Sequence, residues 1–239
     1  MITIGVIPAR YGSSRFPGKP LAPIDGVILI ERVYRQAQRA NLARVLVATD
    51  DRRIFDAVTS FGGEAVMTGE HPSGTDRIAA AVRGIGADIV VNIQGDEPLI
   101  DPRVIATVAA ALENNAWADM STAVTRLDAP EDIDNPNIVK CVFDQHGRAL
   151  YFSRSRVPYN RSATDHYHKH LGIYGYRKEF LERFISLPQS RLEAAESLEQ
   201  LRALENGHGL HVSVVAYDSI GVDVPEDVER VERILRAGR

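Results

Sequence analysis

Arg10, Arg15 and Lys19 fall within ten residues, in the run Pro8-Ala9-Arg10-Tyr11-Gly12-Ser13-Ser14-Arg15-Phe16-Pro17-Gly18-Lys19-Pro20. Gly12 and Gly18 leave room for backbone N–H groups to approach a ligand. Ser13 and Ser14 add hydroxyl donors, and the three cations suit an anion carrying several charges. This is the chemistry of a polyphosphate cradle. It is not the common lysine-bearing phosphate loop: five residues rather than four separate Gly12 from Gly18, and Pro20 stands where that loop has a hydroxyl. It is not the dinucleotide glycine fingerprint either. The competing reading is an exposed loop with ordinary surface charges, and the coincidence of glycine, serine and basic residues after an apolar run argues against it.

Carboxylates recur at comparable positions. The apolar run Ile89–Ile93 leads into Gln94-Gly95-Asp96-Glu97-Pro98, and Gly221–Asp227 places Asp223 just before a helical pattern. A carboxylate at the C-terminal edge of a central strand is well placed to hold Mg²⁺ against a triphosphate. Both motifs also have a plainer reading. Asp96 or Glu97 could cap the helix that begins near Pro102, and by spacing Asp223 is an equally good helix cap. In His71–Arg77 (HPSGTDR), Thr75 could cap the next helix while backbone groups at Ser73-Gly74 read a base edge. His166, His168 and His170 alternate along an expected strand and could in principle bind zinc, although no acidic or cysteine ligand accompanies them. No Ser-His-Asp or Cys-His arrangement is evident.

The elements that must carry these residues alternate. Ile2–Ile7, Arg44–Ala48, Glu64–Met67, Asp88–Gln94 and Met120–Val124 read as strands. Val27–Ala40, the stripe Ile54-Phe55-Val58-Phe61 stopping at Gly62-Gly63, Thr75–Gly84 and Pro102–Asn114 read as helices. This is the pattern of an α/β protein with a mainly parallel sheet. The rhythm then changes. Ile138–Phe143 and Arg148–Ser153 flank Asp144-Gln145-His146-Gly147, a hairpin signal, and His168–Tyr176 is a further strand. The expectation is a single domain with an antiparallel insertion at about residues 135–177. Helices over Glu179–Ile185 and Leu192–Glu205, a strand His211–Ala216 and a helix from Pro225 follow. In Leu192–Glu205 the apolar stripe is Leu192, Ala195, Leu198, Leu201 and Leu204, with Glu199 and Gln200 off it.

Composition narrows the class. The 239 residues carry a net charge of −4, which argues against a general nucleic-acid or membrane-surface binder. The one cysteine, Cys141, can form no intrachain disulfide and reads as apolar filler on a strand. The first residues lack a basic, then apolar, leader pattern, and no apolar run approaches the roughly 20 residues of a membrane span, so a soluble cytoplasmic protein is expected.

The run IPARYGSSRFPGKPL (residues 7–21) closely resembles the opening signature of the 3-deoxy-manno-octulosonate (Kdo) cytidylyltransferases, relatives of the CMP-sialate synthetases. The likeness recurs in order in HPSGTDR (71–77), VNIQGDEPLI (91–100), NPNIVK (135–140), YFSRSRVPY (151–159), KHLGIYGYR (169–177), LEQLR (198–202) and GVDVPED (221–227). The resemblance implies a Rossmann-like sheet with helices on both faces and an inserted antiparallel subdomain, in a homodimer. It also implies transfer of CMP from CTP to Kdo with release of pyrophosphate, for lipopolysaccharide biosynthesis. By the same resemblance Ala9, Arg10, Gly12, Ser13, Lys19, His71, Ser73 and Gly74 take the nucleotide. Arg77, Gln94, Arg154, His170, Tyr174, Glu199 and Gln200 take the sugar, Asp96 and Asp223 take Mg²⁺, and Arg15, Lys19 and Asp96 are catalytic. The chain departs from the family pattern at Arg191, Ala195, Ile220 and Val224. An amino-substituted Kdo, or sialate, is the alternative acceptor. A non-catalytic nucleotide-binding regulator is disfavoured by the presence of Lys19, Asp96 and Asp223.

Overall fold

Strand β1 (Thr3–Ala9) is an almost unbroken run of buried side chains, as a parallel strand covered on both faces requires. The computed structural model describes residues 1–13, 15–162 and 166–237. After β1 come a small antiparallel ribbon, β2 (Pro23–Ile24) with β3 (Val27–Ile28), and helix α1 (Leu29–Gln38). The alternation continues through β4 (Arg44–Thr49), α2 (Arg52–Ser60), β5 (Ala65–Met67), α3 (Gly74–Ala81), β6 (Ile89–Asn92) and α4 (Pro102–Asn114). Every one of these elements except the β2–β3 ribbon was legible from periodicity, to within a few residues at the ends; the ribbon takes up Val27 and Ile28, which periodicity assigns to the helix.

The chain divides into two compact units, Met1–Ala106 with Ser219–Arg239, and Thr107–Asp218, the division falling inside α4. In the first unit β4 and β6 both pair with β1, and β5 pairs with β4, all parallel, in the order β5-β4-β1-β6. The chain moves outward from β1 to β5 and then returns to β1's other side. The strand order therefore reverses beside β1, and in such sheets ligands bind beyond the carboxyl ends of the strands at that reversal.

The second unit holds β7 (Met120–Leu127), the helical turn α5 (Pro130–Ile133), β8 (Lys140–Phe143), β9 (Ala149–Ser153) and β10 (Tyr167–Arg177). It continues with α6 (Lys178–Phe184), α7 (Arg191–Glu196), α8 (Gln200–Glu205) and β11 (Leu210–Val214). β7 pairs parallel with β11 and antiparallel with β10, while β8 pairs antiparallel with β10 and β9. The Asp144–Gly147 turn joins β8 to β9, the Asp144 carboxylate accepting from the N–H groups of His146 and Arg148. The fold is α/β, with a Rossmann-like parallel sheet in the first unit and a mixed, largely antiparallel section in the second.

One expected element divides. Leu192–Glu205 is not one helix but α7 and α8, separated at Ser197, whose φ of 53° is left-handed. A complete capping box between Ser190 and Glu193 starts α7, and the supposed apolar stripe fails there: Ala195 is exposed and Glu193 is buried. Glu193 stays buried because Arg202 of α8 donates to both its oxygens, at 2.8 and 2.5 Å. A salt bridge between the two short helices thus takes the place of the expected apolar face.

The last helix, α9 (Pro225–Ala237), returns to the first unit. Its Val231 is fully buried with Ile24, Leu29 and Val222, and Ile220 and Val228 pack against them. That explains the apolar Ile220 in this chain. Burial of each such side chain is worth about 1.5–3 kcal/mol. Among the described residues no helix is long and apolar enough to cross a membrane.

Candidate active site

The loop after β1 is held closed by its own backbone. The Tyr11 carbonyl accepts from the N–H groups of Ser13 and Gly18, at 3.0 and 2.9 Å, and the Ser13 hydroxyl accepts from the Phe16 N–H. Gly18 has φ 75° and packs against the Tyr11 ring, which a Cβ there would meet at 3.1 Å. It opens the 3-10 turn Lys19–Leu21, whose Pro20 is buried. The proline that replaces the hydroxyl of the common phosphate loop therefore fixes the turn that aims Lys19. Ser14 lies outside the described residues.

Lys19 Nζ donates to Asp96 Oδ2 at 2.9 Å and to Asp223 Oδ1 at 3.5 Å, and Arg15 Nη2 donates to the same Asp223 oxygen at 3.0 Å. Two carboxylates 127 positions apart in the chain thus meet on one ammonium. The backbone explains why. The Val222 N–H donates to the Asp96 carbonyl at 2.9 Å, and Val222 itself is anchored in the apolar cluster under α9. Asp96 follows Gly95, where a Cβ would meet the Pro8 carbonyl at 3.0 Å, so the strand ends of β1 and β6 can approach.

The helix-cap reading of Asp223 does not hold. Asp227 closes the start of α9, its carboxylate accepting from the N–H groups of Asp223 and Val224 at 2.8 and 3.0 Å. Burial raises the Asp227 pKa, but these two hydrogen bonds and the charges of Arg230 and Lys19 outweigh it and hold the pKa below the ordinary value. The Asp223 side chain is left for Arg15 and Lys19. At α3 the cap is Ser73, not Thr75: the Ser73 hydroxyl oxygen accepts from the Asp76 N–H at 3.1 Å and its hydrogen goes to the Asp76 carboxylate. Thr75 points into the interior and is buried.

A cavity of about 360 Å³ opens here, lined by Ala9, Arg10, Ser13, Arg15, Lys19, His71, Ser73, Gly74, Arg77, Gln94, Asp96 and Asp223, with prolines 8, 20 and 72 and Gly95. Its size suits a small-molecule ligand. Every expected site residue of the first unit is on its wall except Gly12, which lies in the same loop. Arg77 is nearly buried, donating to Asp50 at 2.6 Å and to the Thr68 hydroxyl at 2.7 Å. Asp50 and Thr68 were not singled out by sequence, although Asp50 follows β4 at the same carboxyl edge of the sheet as Asp96, and that position was the available signal.

The second unit gathers a different set. His170 stacks edge-on against Phe152 and lies 5.3 Å from the Tyr174 ring. Its ring keeps some accessible surface, yet its surroundings are so apolar that burial pushes its pKa down to about 3. Burial, with the negative charge of Glu199 nearby, raises the Tyr174 pKa. Gln200 is buried at the start of α8, and its Nε2 has no hydrogen-bond partner among the described residues. Arg154 is tied down: Nε donates to the Glu196 carbonyl and Nη1 to the Pro136 carbonyl, at 2.8 and 3.0 Å. Lys140, fully buried, donates to the carbonyls of Asn135, Ile138 and Arg154. The alternating histidines diverge in their partners, His168 packing on Phe143 and His166 facing Asp128.

The cytidylyltransferase family profile matches residues 4–215. The chain belongs to the cytidylyltransferase family. A 3-deoxy-manno-octulosonate cytidylyltransferase of Syntrophobacter fumaroxidans is 51% identical over 98% of this chain and 97% of its own. An 8-amino-3,8-dideoxy-manno-octulosonate cytidylyltransferase of Shewanella baltica is 50% identical over 96% and 97%. The solved structure of a CMP:2-keto-3-deoxy-manno-octonic acid synthetase complexed with CTP superposes with a TM-score of 0.95, 44% identity and 99% coverage of both chains. The chain is a nucleotidyltransferase, and a cytidylyltransferase by family.

Proposed function

We propose that this cytidylyltransferase joins CMP from CTP to Kdo in the cytoplasm, for lipopolysaccharide biosynthesis, working as a homodimer with Mg²⁺. The observation that carries the reading is the Lys19 ammonium bonded to both Asp96 and Asp223, beside the three-cation loop. Lys19 shows that the pair of carboxylates accepts a positive charge between them. Their hard oxygen donors suit Mg²⁺, which takes one or two carboxylates and completes its shell with phosphate oxygens and water. Bound there, the metal would neutralise the triphosphate and stabilise charge on the phosphoryl group being transferred.

The anomeric hydroxyl of the sugar acid attacks the α-phosphorus, losing its proton, and the bond to pyrophosphate breaks. No covalent enzyme intermediate is needed. Arg10, Arg15 and Lys19 set the cationic frame of the phosphates, and His71, Ser73 and Gly74 border the nucleoside. In the second unit His170, Tyr174, Glu199 and Gln200 are the sugar contacts. The support for them is the ring contact of His170 with Tyr174, the charge of Glu199 near Tyr174 and the buried Gln200 Nε2, unpartnered among the described residues. For Arg154 the support is weaker, because its Nε and Nη1 are already used within that unit. Arg77 and Gln94 are proposed as sugar contacts on the cavity wall.

Pyrophosphate release from CTP and Mg²⁺ with Kdo, with its 8-amino counterpart and with sialate, run in parallel, tests the reading. Kdo should give the highest kcat/KM. Preference for the amino sugar would transfer the activity of the Shewanella relative to this chain, and no release with any sugar would overturn the reading.

A further inference from the structure

Thr122 is fully buried on β7, and its hydroxyl faces three atoms: the Ile173 carbonyl at 2.7 Å, the Leu171 carbonyl at 3.3 Å and His170 Nε2 at 3.0 Å. The first two exist as targets because β10 is irregular there. Leu171 pairs with Ala123 and Tyr174 with Thr122, so Gly172 and Ile173 bulge out of the ladder. A bulge of this kind leaves carbonyls unpaired and re-aims the neighbouring side chains.

A hydroxyl has one hydrogen, and a carbonyl oxygen can only accept. If Thr122 donated to His170, the Ile173 carbonyl would lie 2.7 Å from an oxygen offering it only lone pairs. The hydrogen therefore goes to Ile173, and the 3.0 Å contact is Nε2–H of His170 donating to Thr122. A neutral imidazole protonated at Nε2 has its lone pair at Nδ1. We propose that Thr122 is a positioning residue that fixes His170 as the Nε2–H tautomer, presenting Nδ1 as an acceptor for a hydroxyl of the sugar acid. The inference rests on the sugar-side assignment of His170 made above. It adds that His170 reads a donor group on the sugar and does not bind its carboxylate, which an Nδ1 lone pair would repel. Burial, which pushes the His170 pKa down to about 3, and the edge-on packing of the ring against Phe152 agree with a neutral ring.

The test is nitrogen NMR of the full chain labelled with ¹⁵N-histidine at neutral pH, with the His170 signals assigned by their loss in His170→Gln. The expected spectrum shows a protonated Nε2 and an unprotonated Nδ1 in the wild type, a shift toward mixed tautomers in Thr122→Val and recovery in Thr122→Ser. In parallel, Thr122→Val should raise the KM for the sugar acid about three- to tenfold while the KM for CTP stays within twofold. A wild-type ring protonated at Nδ1, or at both nitrogens, overturns the proposal, and that measurement needs no variant to fold. So does a Thr122→Val enzyme whose tautomer changes while its KM for the sugar does not. If His170→Ala also leaves that KM unchanged, the sugar-side reading of His170 has failed instead.

Discussion

Without the Lys19 ammonium, Asp96 would lose its ion pair and Asp223 would keep only Arg15, so both carboxylates would face an incoming triphosphate with less positive charge beside them. Lys19→Ala should therefore cut kcat/KM for CTP by about 10²–10³, the usual loss for one preorganised charge stabiliser. The thermal melt should change little, since Lys19 lies at the cavity wall and not in the apolar core. A variant with near-normal CTP kinetics would refute the cradle. The carboxylates give a second prediction at this scale. Asn at position 96 or 223 keeps the size and removes the charge, so activity should fall by orders of magnitude with a raised Mg²⁺ demand. Pyrophosphate release titrated with Mg²⁺ measures this, and an unchanged titration at full activity would remove that residue from the metal site.

Helix α9 puts Asp223 in place, and Asp227 secures the start of α9. Asp227→Ala should destabilise the protein by about 1 kcal/mol, as loss of a helix-terminal cap does. The sign with pH follows from a folded-state pKa held below the ordinary value, mainly by the Asp223 and Val224 N–H groups working against burial. Such a group stabilises the fold above its unfolded pKa, near 4, and loses that contribution as pH falls through the lower folded value. The gap in denaturation midpoint between wild type and Asp227→Ala should be open at pH 6–7 and close below about pH 4. The first loop makes a comparable case. Gly18 combines φ 75° with a Tyr11 ring against its Cα, and the Arg53 guanidinium lies over that ring 3.3 Å from its centroid. Gly18→Ala must strain the turn that carries Lys19, so it should raise the KM for CTP while the KM for the sugar stays nearly constant. Equal changes in both would detach this turn from the nucleotide.

For the whole molecule the expectation is a homodimer built partly from the antiparallel section. Among the described residues β9 pairs with β8 alone, and Leu150 on β9 is 59% exposed. An open strand edge beside exposed apolar side chains is a surface that proteins ordinarily cover. Light scattering at micromolar concentration should give twice the chain mass, and a monomeric mass would sink the assignment.

The sequence by itself determined the alternation of strands and helices, the hairpin at Asp144–Gly147, the cationic, glycine-bearing character of the first loop and, through motif resemblance, the family. Those are local signals: side-chain periodicity, turn chemistry and short ordered runs are complete within one element or loop. What only the tertiary structure decided was which groups meet. Spacing left Asp223 as a cap or a ligand with equal claim; in the structure Asp227 makes the capping hydrogen bonds, and burial of Val222 beside Val231 brings Asp223 to Lys19 and Asp96, far along the chain. The same limit explains the division of Leu192–Glu205, because helical periodicity cannot register that Arg202 would pair with a buried Glu193. It also hid Asp50 behind Arg77 and Thr122 behind His170. Each is one polar residue on an otherwise ordinary strand end or strand, and its role exists only once packing brings a distant partner within hydrogen-bond reach.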